Sequence, residues 1–242
     1  MKRLFPAFGV LVFAFILRTI WLEADPPAYH FRQYGVYVTD EGWWTYGARH
    51  KFNSGTWASP LHWNYRYYIS PVFSWLEYLS FKIWRRAGFV PARFVSALLG
   101  FLTVAMIFLL PSFSYREKFV SALFFAFNFA ILSYNRLALL ETTQVGFLIL
   151  AFLFVLFSLR NPLYAVLSGI AVSFACFVKP NSLFIVFVAG YFLFPRKRQF
   201  SLYVTGTLVA FLCWLLFFVP VSYTHLRAHE TEADLVCRLL LE

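Results

Sequence analysis

Leu4-FPAFGVLVFAFILRTIW-Leu22 decides the fold class. The stretch is apolar over nineteen positions apart from Arg18 and Thr19, about the length that crosses a bilayer as a helix. Lys2 and Arg3 precede it, as in a signal peptide. No small-residue cleavage site follows and the run is too long, so it reads as an uncleaved first helix. A polar loop comes next, and within it Asp40-Glu41-Gly42 stands beside Trp43, Trp44 and Tyr46. Two carboxylates among amphipathic aromatics, just after a span, point to chemistry at a membrane surface.

Outward from that segment the whole chain has the same character. Of its 242 residues 61% are hydrophobic and 13% charged, with 32 Phe and a mean hydropathy of +0.67. This is the composition of an all-α, polytopic membrane protein. The net charge of +10 then encodes topology, because no solvated basic face suited to nucleic acid is visible.

The C-terminal stretch stands apart. Val221-SYTHLRAHE-Thr231 and Leu235-VCRLLL-Glu242 look like the two ends of a translated sequencing-library adapter, separated by a gap of index size. The expectation is a native segment 1–220, C-terminally truncated, followed by a non-native tail 221–242. Setting aside the tail's Arg227 and Arg238 and its Glu230, Glu232, Asp234 and Glu242 leaves 19 basic and 7 acidic residues, a net of +12. Cys176 and Cys213 then remain, both in apolar runs, with neither a disulfide framework nor a thiolate metal site. His30, His50 and His62 match no compact zinc spacing.

Further apolar segments run over about 71–84, 92–110, 119–135, 143–159, 162–178, 183–194 and 200–219, with Pro91, Pro111, Pro162, Pro180 and Pro195 near their ends. Segment 71–84 contains Glu77 and Lys82 and ends in Arg85-Arg86, which favours an interfacial helix within a first external loop spanning 23–91. About seven crossings then remain. The clusters Lys2/Arg3, Arg116/Lys118, Arg160 and Arg196-Lys197-Arg198 fall on the cytoplasmic side. Asp40/Glu41, Arg136/Glu141 and Lys179 fall together on the other. Arg85, Arg86 and Arg93 weigh against this arrangement, and a crossing at 71–84 would separate Asp40 from Arg136, Glu141 and Lys179.

Thr39 or Asp40 can cap a short helix, on which neighbouring side chains point about 100° apart. One carboxylate would face the cavity as general base while the other supports it; a solvated capping box is the plainer reading. Arg136 and Glu141 are five residues apart, a poor helical pairing, so a turn or separate partners is expected. Arg suits a phosphate through its planar fork, but a structural ion pair fits as well. Lys179, in Phe177-Val-Lys-Pro-Asn181, is a point charge for a lipid phosphate or an interface marker. Asn64-Tyr-Arg66-Tyr-Tyr68 forms either a headgroup rim or an ordinary aromatic belt. Asp40 and Glu141 are the candidate pair for a divalent metal.

At these residues the chain resembles the polyprenyl-phosphate-sugar-dependent glycosyltransferases of the GT-C fold, in the branch of the protein O-mannosyltransferases and lipid A aminoarabinose transferases. The matching elements are Asp40-Glu41-Gly42, Ser70-Pro71-Val-Phe-Ser-Trp75, Arg136-Leu-Ala-Leu-Leu-Glu141 and Lys179-Pro180. The resemblance implies Asp40 as catalytic base, with Glu41 beside it. Arg136, Lys179 and Arg66 would lie near the donor phosphate, and Glu141 would be the second acidic site. Ile69 and Ser70 stand where many members have Lys-Pro, and Glu141 replaces Asp. The implied activity is transfer of a sugar from a polyprenyl-phosphate carrier on the non-cytoplasmic face of a prokaryotic plasma membrane. The helices beyond 220 that would complete it make this segment inactive alone. A lipid-linked sugar transporter or a non-enzymatic assembly subunit is the alternative reading.

Overall fold

The computed structural model describes residues 4–25, 30–33, 36–57, 70–111 and 113–216. Arg66 with its aromatic neighbours and the adapter-like tail lie outside the described residues.

Helix α1 (Leu4–Thr19) is followed by a short antiparallel pair, β1 (His30–Gln33) and β2 (Val36–Thr39), in the register His30↔Thr39. The pair is a short feature of the first loop, and the all-α class holds. Val36-Tyr-Val-Thr39 carries the β-branched and aromatic residues that strands favour, and β2 runs directly into α2 (Asp40–Trp44). Apart from the pair, the regular structure among the described residues is helical. After α3 (Tyr46–Ser54) come α4 (Pro71–Trp84), α5 (Phe89–Leu109), α6 (Tyr115–Phe127) and α7 (Phe129–Asn135). Helices α8 (Leu140–Ser158) and α9 (Tyr164–Val178), a 3₁₀ turn (Pro180–Ser182), α10 (Leu183–Leu193) and α11 (Lys197–Leu216) complete the described residues.

Among the described residues three helices, α5, α8 and α11, are long and apolar enough to cross a membrane. A fourth candidate is the pair α6 and α7, bent by 64°. Asn128 makes the bend: it ends α6 with an extended ψ of 121°, and its Oδ1 accepts from Ile131 N at 3.1 Å to cap α7. Breaking a helix frees carbonyls, and in lipid these need partners. Arg18 of α1 supplies them, donating from Nη2 to Phe125 O (2.8 Å) and from Nη1 to Ala126 O (3.3 Å). Its Nε reaches Asn135 Oδ1 at 3.0 Å. A cation fully buried in an apolar helix is thus held by the dipoles of the broken one, with no carboxylate partner among the described residues.

Small residues bring the helices close. Val10 and Ala14 of α1 pack with Val104, Ile107, Ala122 and Ala126 of α5 and α6. Ala151, Val155, Ala165, Val172, Leu193 and Tyr203 join α8 to α11. A Cβ on Gly206 would collide with the backbone of Val166, and one on Gly169 with the backbone of Tyr203 and Thr207. The α9–α11 contact therefore depends on both glycines.

Segment 71–84 forms α4. At its start Ser70 Oγ donates to Val178 O at the end of α9 (2.6 Å); near its finish Ser80 Oγ donates to Pro91 O at the start of α5 (2.6 Å). Those two points lie at one end of the bundle, because the starts of α5 and α8 meet at Ser96–Leu139 and the start of α8 meets the end of α9 at Glu141–Lys179. With 14 residues, about 21 Å, α4 is tied at both its ends to that end of the bundle.

Candidate active site

The same end of the bundle gathers the three ion pairs among the described residues. Glu41, 1% exposed, takes a bidentate pair from Arg93, itself 2% exposed: Nε to Oε1 at 2.8 Å and Nη2 to Oε2 at 2.7 Å. Glu41 Oε1 also accepts from Ala138 N at 2.9 Å, and Arg93 Nη1 donates to Leu22 O (2.5 Å) and Asp25 O (3.0 Å). One ion pair therefore ties α2 to the end of α1, the start of α5 and the segment before α8. Asp40, one residue earlier, is exposed, and no hydrogen bond or ion pair holds it among the described residues. The 100° step around a short helix separates a structural carboxylate from a free one.

Three more contacts fix α2. Thr45 Oγ1 donates to Glu41 O (2.7 Å), and Arg49 Nη2 donates to Gly42 O (2.6 Å). Trp44 packs against Phe73, Leu140 and Val178, which come from α4, α8 and α9. Beneath this lies Glu77, fully buried on α4, with both carboxylate oxygens lacking a hydrogen-bond partner. Burial pushes its carboxyl well above the usual range; the charge of Glu41 pushes it further up, and Arg49 partly offsets both. Burial likewise lowers the Arg49 guanidinium, against the opposing pull of Tyr46 and Glu77.

Arg136 sits at the same end, and its fork is engaged by protein. Nε donates to Asp25 Oδ2 (2.8 Å), Nη1 to Leu17 O (2.5 Å), and Nη2 to Ile20 O (2.8 Å) and Trp21 O (3.3 Å). These are the orphan carbonyls that end α1, so Arg136 acts as that helix's cap. Arg136 and Glu141 take separate partners, as five-residue spacing suggests. Glu141 instead receives Lys179 Nζ at 2.7 Å, with the two side chains 41% and 34% exposed. Gln144 Nε2 holds Asn181 Oδ1 (2.7 Å) and Ser182 Oγ (2.6 Å), anchoring the Lys-Pro-Asn-Ser turn on α8.

Beside this turn opens an apolar cavity of about 590 Å³, bounded by Pro71 and Trp75 of α4, Phe147 of α8, Phe177 of α9 and Trp214 of α11. Pro71 follows the Ser70–Val178 hydrogen bond, and Phe177 lies two residues before Lys179. Its wall is apolar throughout, and Lys179 and Glu141 are not among the residues that line it. Among the described residues no three metal-ligating side chains converge, and Glu141 is held by lysine.

Sequence reading missed Arg93, Asp25, Arg49 and Glu77 as parts of this cluster. Arg93 offered a signal, a cation one turn inside an apolar segment, which at membrane depth demands a partner. The other three are loop or interfacial charges whose partners only the fold reveals.

Three ion pairs and an exposed aspartate, gathered at one end of the bundle among the described residues, place the chain in the class of helical integral membrane proteins with a polar cluster at one end. Comparison with known families makes the class specific. The sequence model of dolichyl-phosphate-mannose-protein mannosyltransferases matches residues 69–223, and the chain belongs to that family, one of the GT-C glycosyltransferases. Membership implies a glycosyltransferase that depends on a lipid-phosphate sugar. No curated protein and no solved structure matches the chain.

Proposed function

We propose that the chain transfers a sugar, with inversion, from a polyprenyl-phosphate carrier to a hydroxyl or amine acceptor on the non-cytoplasmic face. The observation that carries this reading is the contrast between Asp40 and Glu41: the first exposed and unpaired, the second locked in a buried bidentate pair. A general base must be able to reach a proton, and of these two Asp40 has that freedom.

In the proposed reaction Asp40 takes the proton from the acceptor as its oxygen or nitrogen attacks the anomeric carbon. The bond from that carbon to the phosphate oxygen breaks, and the lipid phosphate leaves with one more negative charge. Lys179 is suited to receive that charge if it releases Glu141, which is partly exposed and needs little reorganisation to let go. The apolar cavity, walled by Trp75, Phe147, Phe177 and Trp214, suits the polyprenyl tail, and Phe177 precedes Lys179 by two residues in the chain. Arg136 serves as the clasp on α1, a role its four protein acceptors support better than phosphate binding.

Seven crossings complete the proposal. The three long helices and the bent pair are joined by the shorter apolar helices Phe5–Thr19, Tyr164–Val178 and Pro180–Leu193. In that arrangement Arg116/Lys118, Arg160 and Arg196–Arg198 share the end opposite the candidate site, as cytoplasmic clusters should.

The test is sugar transfer by the full chain in lipid nanodiscs, supplied with dolichyl-phosphate-mannose and a panel of peptide and lipid acceptors. Transfer or donor turnover abolished in Asp40→Asn, with unchanged thermal stability, supports the reading. Equal turnover in Asp40→Asn and the parent refutes it.

A further inference from the structure

The far end of α4 carries a surface that the transfer reaction does not use. Lys82, Ile83, Trp84, Arg85 and Arg86 are consecutive and all exposed, Ile83 to 80%, and Phe89 follows at 54%. Trp75, Leu79 and Ile83 continue the exposed apolar stripe along the helix, one turn apart. None of the three cations has a carboxylate partner among the described residues, and the acidic residue of this helix, Glu77, is buried on its other face. The cations lie over rings: Lys82 Nζ is 5.6 Å from the Tyr78 centroid and the Arg86 guanidinium 5.8 Å from that of Trp84.

Arg85 adds a second observation. It closes α4 in the left-handed region, at φ 54° and ψ 24°, where glycine is the usual residue. A long cationic side chain is held there against the local backbone preference, between two other cations.

We propose that this end of α4 is a docking site for acidic phospholipid headgroups, with Ile83, Trp84 and Phe89 entering the acyl boundary and Lys82, Arg85 and Arg86 meeting the phosphates. An amphipathic helix tied at both its ends to one end of a membrane bundle, apolar on its outer stripe and cationic at its tip, has the chemistry of an interfacial anchor. The donor phosphate is a different group. It would sit near Lys179, beside the start of α4, and the helix separates the two points by about 20 Å. The surface also accounts for Arg85 and Arg86 lying on the same membrane face as the acidic loop: local lipid binding holds cations that topology alone would place opposite.

The experiment compares the full chain in nanodiscs of phosphatidylcholine alone with nanodiscs containing phosphatidylglycerol. It reads retained lipid by native mass spectrometry and melting temperature by tryptophan fluorescence. Phosphatidylglycerol should be retained preferentially and raise the melting temperature. Lys82→Gln/Arg85→Gln/Arg86→Gln should lose the preference, on the order of a hundredfold in affinity if each cation contributes about fivefold. Arg85→Gly separates binding from folding: it should melt no lower than the parent in phosphatidylcholine, while gaining less from phosphatidylglycerol. Equal retention of both lipids by the parent would overturn the proposal, as would an unchanged preference in the triple variant. A triple variant that loses polyprenyl phosphate but keeps phosphatidylglycerol would instead assign the surface to the donor.

Discussion

Removing Glu41 tests the architecture of the site. In Glu41→Ala the Arg93 guanidinium loses both Nε and Nη2 acceptors while remaining 2% exposed, and Ala138 N loses its only recorded acceptor. Breaking a buried pair by deleting one partner costs about 3–5 kcal/mol, because the remaining charge stays desolvated. In a chain of this size each kcal/mol moves the melting temperature by roughly 2–4 °C, so a fall of about 6–20 °C is expected. The assay is thermal unfolding in nanodiscs, followed by intrinsic tryptophan fluorescence. Arg93→Ala leaves the Glu41 carboxylate buried and should cost a similar amount. Glu41→Gln/Arg93→Met removes both charges and should recover a large part of the loss, the signature of direct coupling. Asp40→Ala should leave the melting temperature within about 2 °C of the parent, since no recorded interaction is lost. A Glu41→Ala variant as stable as Asp40→Ala would refute the assignment of separate structural and free carboxylates.

Glu77 gives a pH dependence of defined sign. Its folded-state carboxyl titrates well above the unfolded value, so from about pH 4.3 upward the unfolded chain releases this proton first. Folding then weakens by about 1.4 kcal/mol per pH unit until the folded group also ionises. Glu77→Gln should therefore melt higher than the parent at pH 7, with the advantage vanishing as pH falls towards 4.3; a pH-independent difference would contradict it. Gly206→Ala should lose about 1–3 kcal/mol through separation of α9 and α11, visible as a lower melting temperature and faster proteolysis after Phe194. Lys179→Met should slow transfer by tenfold or more, measured as kcat/KM for the lipid donor, while Arg136→Gln should act chiefly on stability. The reverse ranking of these two variants in a transfer assay would return Arg136 to the donor phosphate.

The helical membrane fold was legible because the signal is long and repeated: apolar runs bounded by prolines need no tertiary context. The ends of the elements were less so. Phe129–Asn135 reads as a continuation of the preceding helix, and only the placement of Arg18 opposite Phe125 and Ala126 explains how a 64° break survives. Likewise Val36–Thr39 is too short to announce a strand without His30–Gln33 beside it. At the site, the separation of Asp40 from Glu41 follows from helical geometry, and sequence alone supplies it. Which of them faces inward does not follow, because that depends on Arg93, fifty-two residues away. Arg136 illustrates the opposite limit: its residue type suits a phosphate, and only the nearness of the end of α1 reveals the carbonyls that occupy it.

These placements share a physical logic. Helices α1, α7 and α9 end, and α5 and α8 begin, on the side that also carries the loop, so carbonyl and N–H termini accumulate there. Arginines suit the carbonyl ends: Arg93 and Arg136 both take backbone oxygens from the end of α1, and each then needs a carboxylate, Glu41 or Asp25. Lys179, at the end of α9, takes Glu141 from the start of α8. Once Arg93, Arg136 and Lys179 have claimed Glu41, Asp25 and Glu141, and Glu77 is buried beneath α2, Asp40 is the aspartate at this end left without an ion pair. A carboxylate free to move a proton is thus the consequence of how the neighbouring charges are satisfied. Replacing any one of those three basic residues should leave a second carboxylate at this end without its ion pair.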